Sequence, residues 1–141
     1  MSAPRFSDAV AQMSVDEVRR AAAPIRSANP RLTVDGWHIE RAPYVGRDFD
    51  MEQVRAAVLF VRTFGRPRRY FNSKAGSYTL KHYAENWARA CADIDVSNGE
   101  LILAALICGY RHRQVPRTPN CTFDMTVDAK MRRYEQPARS Q

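Results

Sequence analysis

The chain has 141 residues, 45% of them hydrophobic, with a formal net charge of +7. That is one domain's worth of sequence, able to bury a core without disulfide or metal support. Its longest uninterrupted apolar run is the eight residues Leu101 to Cys108, far short of a membrane span, so no membrane partner is expected. The N-terminal M-S-A-P-R-F-S-D has no apolar stretch behind its arginine. It predicts no secretory signal and a cytoplasmic protein.

Of the 22 basic residues, 19 are arginine. Such a balance favours an anionic partner, DNA or RNA before others, although the same charge also serves solubility. Cys91, Cys108 and Cys121 are each more than ten residues from the next, and His38, His82 and His112 are as widely spread. Metal sites use closely spaced ligands, so the expectation is three reduced cysteines, no metal and no cofactor.

In chain order, residues 1–13 read as a flexible N-terminus. From Ser14, S-V-D-E has the form of a capping box, with Val15, Val18, Ala22 and Ile25 at helical spacing and Pro24 as the expected stop. Asp35-Gly36 predicts a tight hairpin in R-L-T-V-D-G-W-H-I-E-R, with Leu32, Val34, Trp37 and Ile39 on the inner side and His38 outside. A loop follows. Asp50, with Gln53 as its reciprocal cap, opens a helix carrying the stripe Met51, Val54, Val58 and Val61, which Gly65 ends.

The densest positive charge lies in G-R-P-R-R-Y-F-N-S-K. Pro67 forbids helix, and Arg66, Arg68, Arg69 and Lys74 flank Tyr70 and Phe71. Arginine neutralises phosphate and an exposed ring stacks on a base, so this segment suits a nucleic-acid strand. Gly65-Arg66-Pro67 also matches the centre of an AT-hook, with Phe64 where that motif has arginine. The competing reading makes Tyr70 and Phe71 a buried strand and the arginines a solvated loop.

The next helix starts at Ser77 or Thr79 and has Leu80, Tyr83, Ala84, Trp87, Ala88 and Cys91 on one face. A short A-D-I-D link leads to the strongest local signal in the chain. Ser97 and Glu100 form a capping box, Val96 can staple onto Leu101, and Gly109 supplies the C-terminal stop. Leu101 to Cys108 leaves no polar face, so this helix should be buried all round. Tyr110 to Val115 and Cys121 to Val127 then read as two strands, with Cys121, Phe123, Met125 and Val127 inward.

These elements predict an α+β fold: a winged-helix-like core of three helices followed by a β-hairpin, plus an N-terminal helix and an additional β-hairpin. Residues 14–127 form the single domain, and 128–141 a mobile basic tail. S-Y-T-L-K-H-Y-A-E-N-W, V-S-N-G-E-L-I-L-A-A-L-I-C-G-Y-R and P-N-C-T-F-D-M resemble segments of small uncharacterised proteins carried by plasmids and bacteriophages. The resemblance spans roughly residues 70–127 and implies mobile-element biology without assigning any residue a role.

A recognition helix needs an outward polar face, and residues 101–108 provide none. Nucleic acid would therefore be met through Arg66, Arg68, Arg69, Tyr70, Lys74, Arg111, Arg113 and Arg117, mainly at phosphate. The alternative is a protein-binding inhibitor or accessory protein acting on a host defence or nucleic-acid-processing complex, its basic surface meeting an acidic subunit or a nucleic-acid channel. No motif of nucleophilic, metal or phosphate-loop chemistry is present, so no enzyme is expected. A metal-free ribonuclease leaves no linear signature, and its candidates here are His82, His112 and Tyr110.

Overall fold

The computed structural model describes residues 13–136. Within them the elements run α1 (Val15–Ala28), β1 (Leu32–Thr33), β2 (Gly36–Trp37), α2 (Met51–Phe64), β3 (Arg66–Gly76), α3 (Ser77–Ala92), α4 (Asn98–Ile107), β4 (His112–Gln114), β5 (Cys121–Thr126) and α5 (Ala129–Arg132). β1 and β2 form a two-stranded antiparallel sheet, and the other three strands form a second one in the order β3-β5-β4. The fold is α+β. From α2 onward a helix, a strand and two helices precede a hairpin that closes on the earlier strand, the element order of a winged helix. Residues 1–12 and 137–141 lie outside the described residues, and with them most of the N-terminus expected to be flexible.

Two helices, α2 and α4, make the core. α4 is closed at both ends as its sequence predicts. Ser97 Oγ accepts from the Glu100 N–H, and the Glu100 carboxylate accepts from the Ser97 N–H in return. At the other end Gly109 has φ +91°, and the N–H groups of Gly109 and Tyr110 donate to Leu106 and Ala105, the pattern of a Schellman turn. Leu101 to Ala105 are buried on every side, whereas Leu106, Ile107 and Cys108 are only half-buried. α2 is nearly as enclosed, with Ala56, Ala57, Leu59 and Phe60 buried beside the expected stripe.

Glu100 does more than cap. Its carboxylate, fully buried, also accepts from the backbone N–H of Asp50 at 2.8 Å and from both terminal nitrogens of Arg47 at 3.1 and 3.2 Å. It thereby ties the start of α2 to the start of α4. Gln53, expected to return a bond to Asp50, instead accepts from Arg47. Asp50 still caps α2 through its own side chain, accepting from Glu52 and Gln53.

Gly99 holds the small hairpin against α4. Its N–H donates to Val34 O, and a Cβ at this position would fall 1.7 Å from Thr33 O. The hairpin is shifted by one residue from the expected register: Val34 and Asp35 form the turn, and Thr33 pairs with Gly36. Gly36, at φ +111°, is pressed against Pro119 O and the Asn98 side chain, and the Thr33 hydroxyl donates to Gly36 O. Those tertiary contacts outweigh the preference for Asp-Gly at the two central positions. β2 ends at Trp37, so Ile39 leaves the alternation and is exposed, while Leu32, Val34 and Trp37 are buried.

α3 does start at Ser77, one of the two expected positions, with Gly76 at its N-cap, and the Ser77 hydroxyl accepts from the Cys121 N–H at 3.1 Å. Three further expectations are corrected. α1 continues past Pro24 to Ala28; the ring sits on the exposed side of the helix. Cys91 is exposed rather than on the buried face. The domain also runs beyond Val127. Asp128 caps α5, Met131 is fully buried, and Tyr134 lies against Phe60 and Phe64 while its carbonyl accepts from Asn86.

Replacing Glu100 by Ala strands the Asp50 and Ser97 N–H groups and removes the partner of Arg47. A loss of about 2–4 kcal/mol in unfolding free energy is expected, with Glu100→Gln recovering part of it. Urea unfolding at an unchanged slope reads the difference, and a loss below about 0.5 kcal/mol would show that the hub is dispensable.

Candidate nucleic-acid interface

The outer face of the β3-β5-β4 sheet is fixed by the alternation in β5. Cys121, Phe123 and Met125 go into the core, so Thr122, Asp124 and Thr126 face out. His112 pairs with Phe123 and Arg113 with Thr122, which places Arg113 and, one step back, Arg111 outside. His112 turns inward and stacks on Trp37 with ring centroids 4.9 Å apart.

β3 lacks regular alternation, which is why its sequence reads as a loop. Its eleven residues run from opposite Thr126 to opposite Thr122, only five positions along β5, and the register breaks twice. The first break, between Pro67 and Asn72, throws Arg68, Arg69, Tyr70 and Phe71 into a bulge; the second does the same for Ser73 to Ala75. Asn72 pins the strand between the two. Its amide donates to Met125 O at 3.0 Å and its Oδ1 accepts from the Lys74 N–H at 3.1 Å. Bulges of this kind re-aim side chains at strand edges.

The result divides the two aromatics. Phe71 lies across the outer face, half-buried, with the Arg113 guanidinium 4.4 Å and the Arg111 guanidinium 5.3 Å from its ring centre. Tyr70 projects from the bulge, 65% exposed, with the Arg69 guanidinium 5.4 Å from its ring centre. Neither pure reading of this segment holds: it is a strand, yet its tyrosine is in solvent.

Two arginines are anchored by acids. Arg111 donates through Nε and its backbone N–H to Asp124, at 2.9 and 2.8 Å, and reaches across to Arg69 O at 2.9 Å. Burial pushes the Asp124 carboxyl up, and the bonds from Arg111 outweigh it, holding the group below the ordinary carboxylate value. Arg66 pairs with Asp128 at 3.8 Å. The side chains of Arg68, Arg69, Lys74 and Arg113 have no acidic partner among the described residues. The sheet thus concentrates seven of the eight predicted site residues, Arg66, Arg68, Arg69, Tyr70, Lys74, Arg111 and Arg113, along its bulged strand and the neighbouring outer face.

Arg117 is separate. It lies in the β4–β5 loop with φ +63°, and that loop is tied back by Pro119 O, which accepts from the Trp37 N–H. Asp124 and Phe71 are the contributors absent from the predicted set. The observed hairpin register, with His112 opposite Phe123, is what sets Arg111 beside Asp124.

His82, His112 and Tyr110 occupy three different settings. His82 packs edge-on to Tyr78 along α3, and His112 is under the sheet. Tyr110 follows the α4 stop, its phenol pushed up to about 12 by burial, with Cys108 and Asp124 adding to the shift. Burial likewise raises the Cys108 thiol to about 11 and that of Cys121 to about 12. No group of metal-ligating side chains occurs among the described residues, and no helix there is long and apolar enough to cross a membrane.

A cleft of about 690 Å³ opens at the N-terminal end of α4, beside Tyr78, Lys81, Glu85 and Asn120. Its charges are already spent on one another. Glu85 pairs with Lys81 and Arg89 and accepts from the Val96 N–H, and Arg89 also binds Asp95. The helix end offers little to an anion, since the Gly99, Glu100 and Leu101 N–H groups donate to Val34, Ser97 Oγ and Ser97 O. Compared with protein-family models, curated proteins and solved structures, the chain matches none.

Burial alone holds the His112 imidazole below its ordinary value of 6.5. The unfolded chain then takes up the proton first as pH falls, so this residue's contribution to stability is lost below about pH 6.5. Urea midpoints should fall further between pH 7.5 and 5.5 in the native protein than in His112→Gln; equal falls would refute the lowered imidazole.

Proposed function

We propose that this protein binds nucleic acid on the outer face of the β3-β5-β4 sheet, mainly through phosphate, as an accessory of a mobile genetic element. The observation that carries the reading is the grouping of Arg68, Arg69, Lys74 and Arg113, none with an acidic partner among the described residues, on the bulged strand and its outer face, with an exposed tyrosine beside Arg69. Unpaired guanidinium groups on a solvent-facing sheet release counterions when they meet a polyanion. The wing-like hairpin contributes Arg111 and Arg113, and α4, enclosed by the domain, contributes no contact. Little base specificity follows, since phosphate contacts position a strand without reading it.

A second reading, a protein-binding accessory of a host complex, draws on the exposed apolar side chains of Ile39 and Val45 in the loop before α2. Partners that survive nuclease treatment and are lost in Val45→Asp would favour it.

Fluorescence anisotropy with labelled oligonucleotides across a salt series tests the main reading. Binding should weaken steeply with salt. The triple variant Arg68→Gln, Arg69→Gln, Arg113→Gln should reduce the slope of log K against log salt by about 2–3, one contact per removed charge. Affinity that is absent, or insensitive to salt, refutes the proposal.

A further inference from the structure

We infer that the ligand of this face is single-stranded, with a base stacked on Tyr70; the inference rests on the nucleic-acid reading proposed above. Duplex recognition by a domain of this element order puts a helix or a two-stranded ribbon into a groove. α4 is enclosed by the domain, and the β4–β5 loop is bonded back through Pro119 O to Trp37. The surface that carries the exposed ring and its arginines is a sheet. On such surfaces antiparallel strands bind unpaired nucleotides by presenting aromatic rings and guanidinium planes to bases that a duplex keeps stacked inside.

Tyr70 has the geometry for this. It projects from the bulge at 65% exposure, and a free strand lying along β3 would meet Arg68 and Lys74 on either side of it. Phe71 has a different part. Its ring is covered by the Arg113 guanidinium and holds that side chain on the outer face, so the plane offered to a neighbouring base there is the arginine's own.

The same edge is a poor template for a protein strand. β3 carries Pro67, two register breaks and four flanking cations, features that block edge-to-edge pairing. Charge and proline alone would accomplish that protection. The exposed ring is left unexplained by it and explained by stacking.

The test uses the full chain and fluorescein-labelled twelve-nucleotide probes of mixed sequence, single-stranded DNA, single-stranded RNA and the DNA duplex, each titrated across a salt series, with affinities compared at one moderate salt concentration. Either single strand should bind more tightly than the duplex. Tyr70→Leu should weaken single-strand binding about tenfold with an unchanged salt slope, and Tyr70→Trp should restore it, with indole emission quenched on binding. Thermal melts confirm folding of each variant. A duplex bound as tightly as both single strands, or a Tyr70→Leu effect below about twofold, overturns the inference while leaving phosphate binding standing. Loss of salt-dependent binding to all three probes would instead overturn the nucleic-acid reading itself.

Discussion

A buried carboxylate, Glu100, organises this domain. Removing Glu100 from water is unfavourable unless every lone pair finds a donor, and here the donors come from three places in the chain: Arg47, the Asp50 N–H at the head of α2, and the Ser97 N–H at the head of α4. The two enclosed helices are thereby fixed end to end in one arrangement. Other elements attach to the same region. Glu85 of α3 accepts the Val96 N–H just before α4 begins, and Gly99, one residue before Glu100, lets the β1–β2 hairpin close on the helix.

This arrangement settles what the surface can offer. With α2 and α4 largely consumed by the core, the outward chemistry lies on α1, α3 and α5, on the long loop before α2 and on the three-stranded sheet. The acids of α3 and its C-terminal turn are paired with the basic groups beside them, in the chain Lys81, Glu85, Arg89, Asp95. The sheet differs, because only Asp124 and Asp128 oppose its arginines, each engaged by one. The sheet groups its positive charge for a local reason: β3 is an edge strand whose two bulges supply more outward positions than β5 can pair. Arg111 shows how such a surface is kept ordered, held by Asp124 from its own hairpin and reaching the backbone of the bulge at Arg69.

Elements with local codes were legible in the sequence. The α4 capping box, its glycine stop, the buried alternation of Cys121, Phe123 and Met125, and the inward face of α3 from Leu80 to Ala88 all depend on neighbours within a few residues. The α+β class and the order of helices before the hairpin follow from them. The basic segment was legible as composition, since arginine and tyrosine announce their chemistry without a fold.

Contacts between distant residues had no such code, and there the tertiary structure decided. Gln53 and Glu100 are equally good N3 residues, but only Glu100 meets Arg47 and Asp50 across the core. Asp-Gly favours one hairpin register, and the approach of Pro119 and Asn98 to Gly36 imposes another. The C-terminal segment carries no periodic pattern because it buries one residue per turn of chain, Met131 and then Tyr134, into a groove built by α2 and α3. β3 is the same case at the site: bulges erase the period-two signature of a strand, so only pairing with β5 shows that Tyr70 stands out while Phe71 lies under arginines. Sequence alone determined which elements form and what charges the chain carries. Long-range packing determined which of those charges stand together, because a residue's exposure depends on what the rest of the chain places over it.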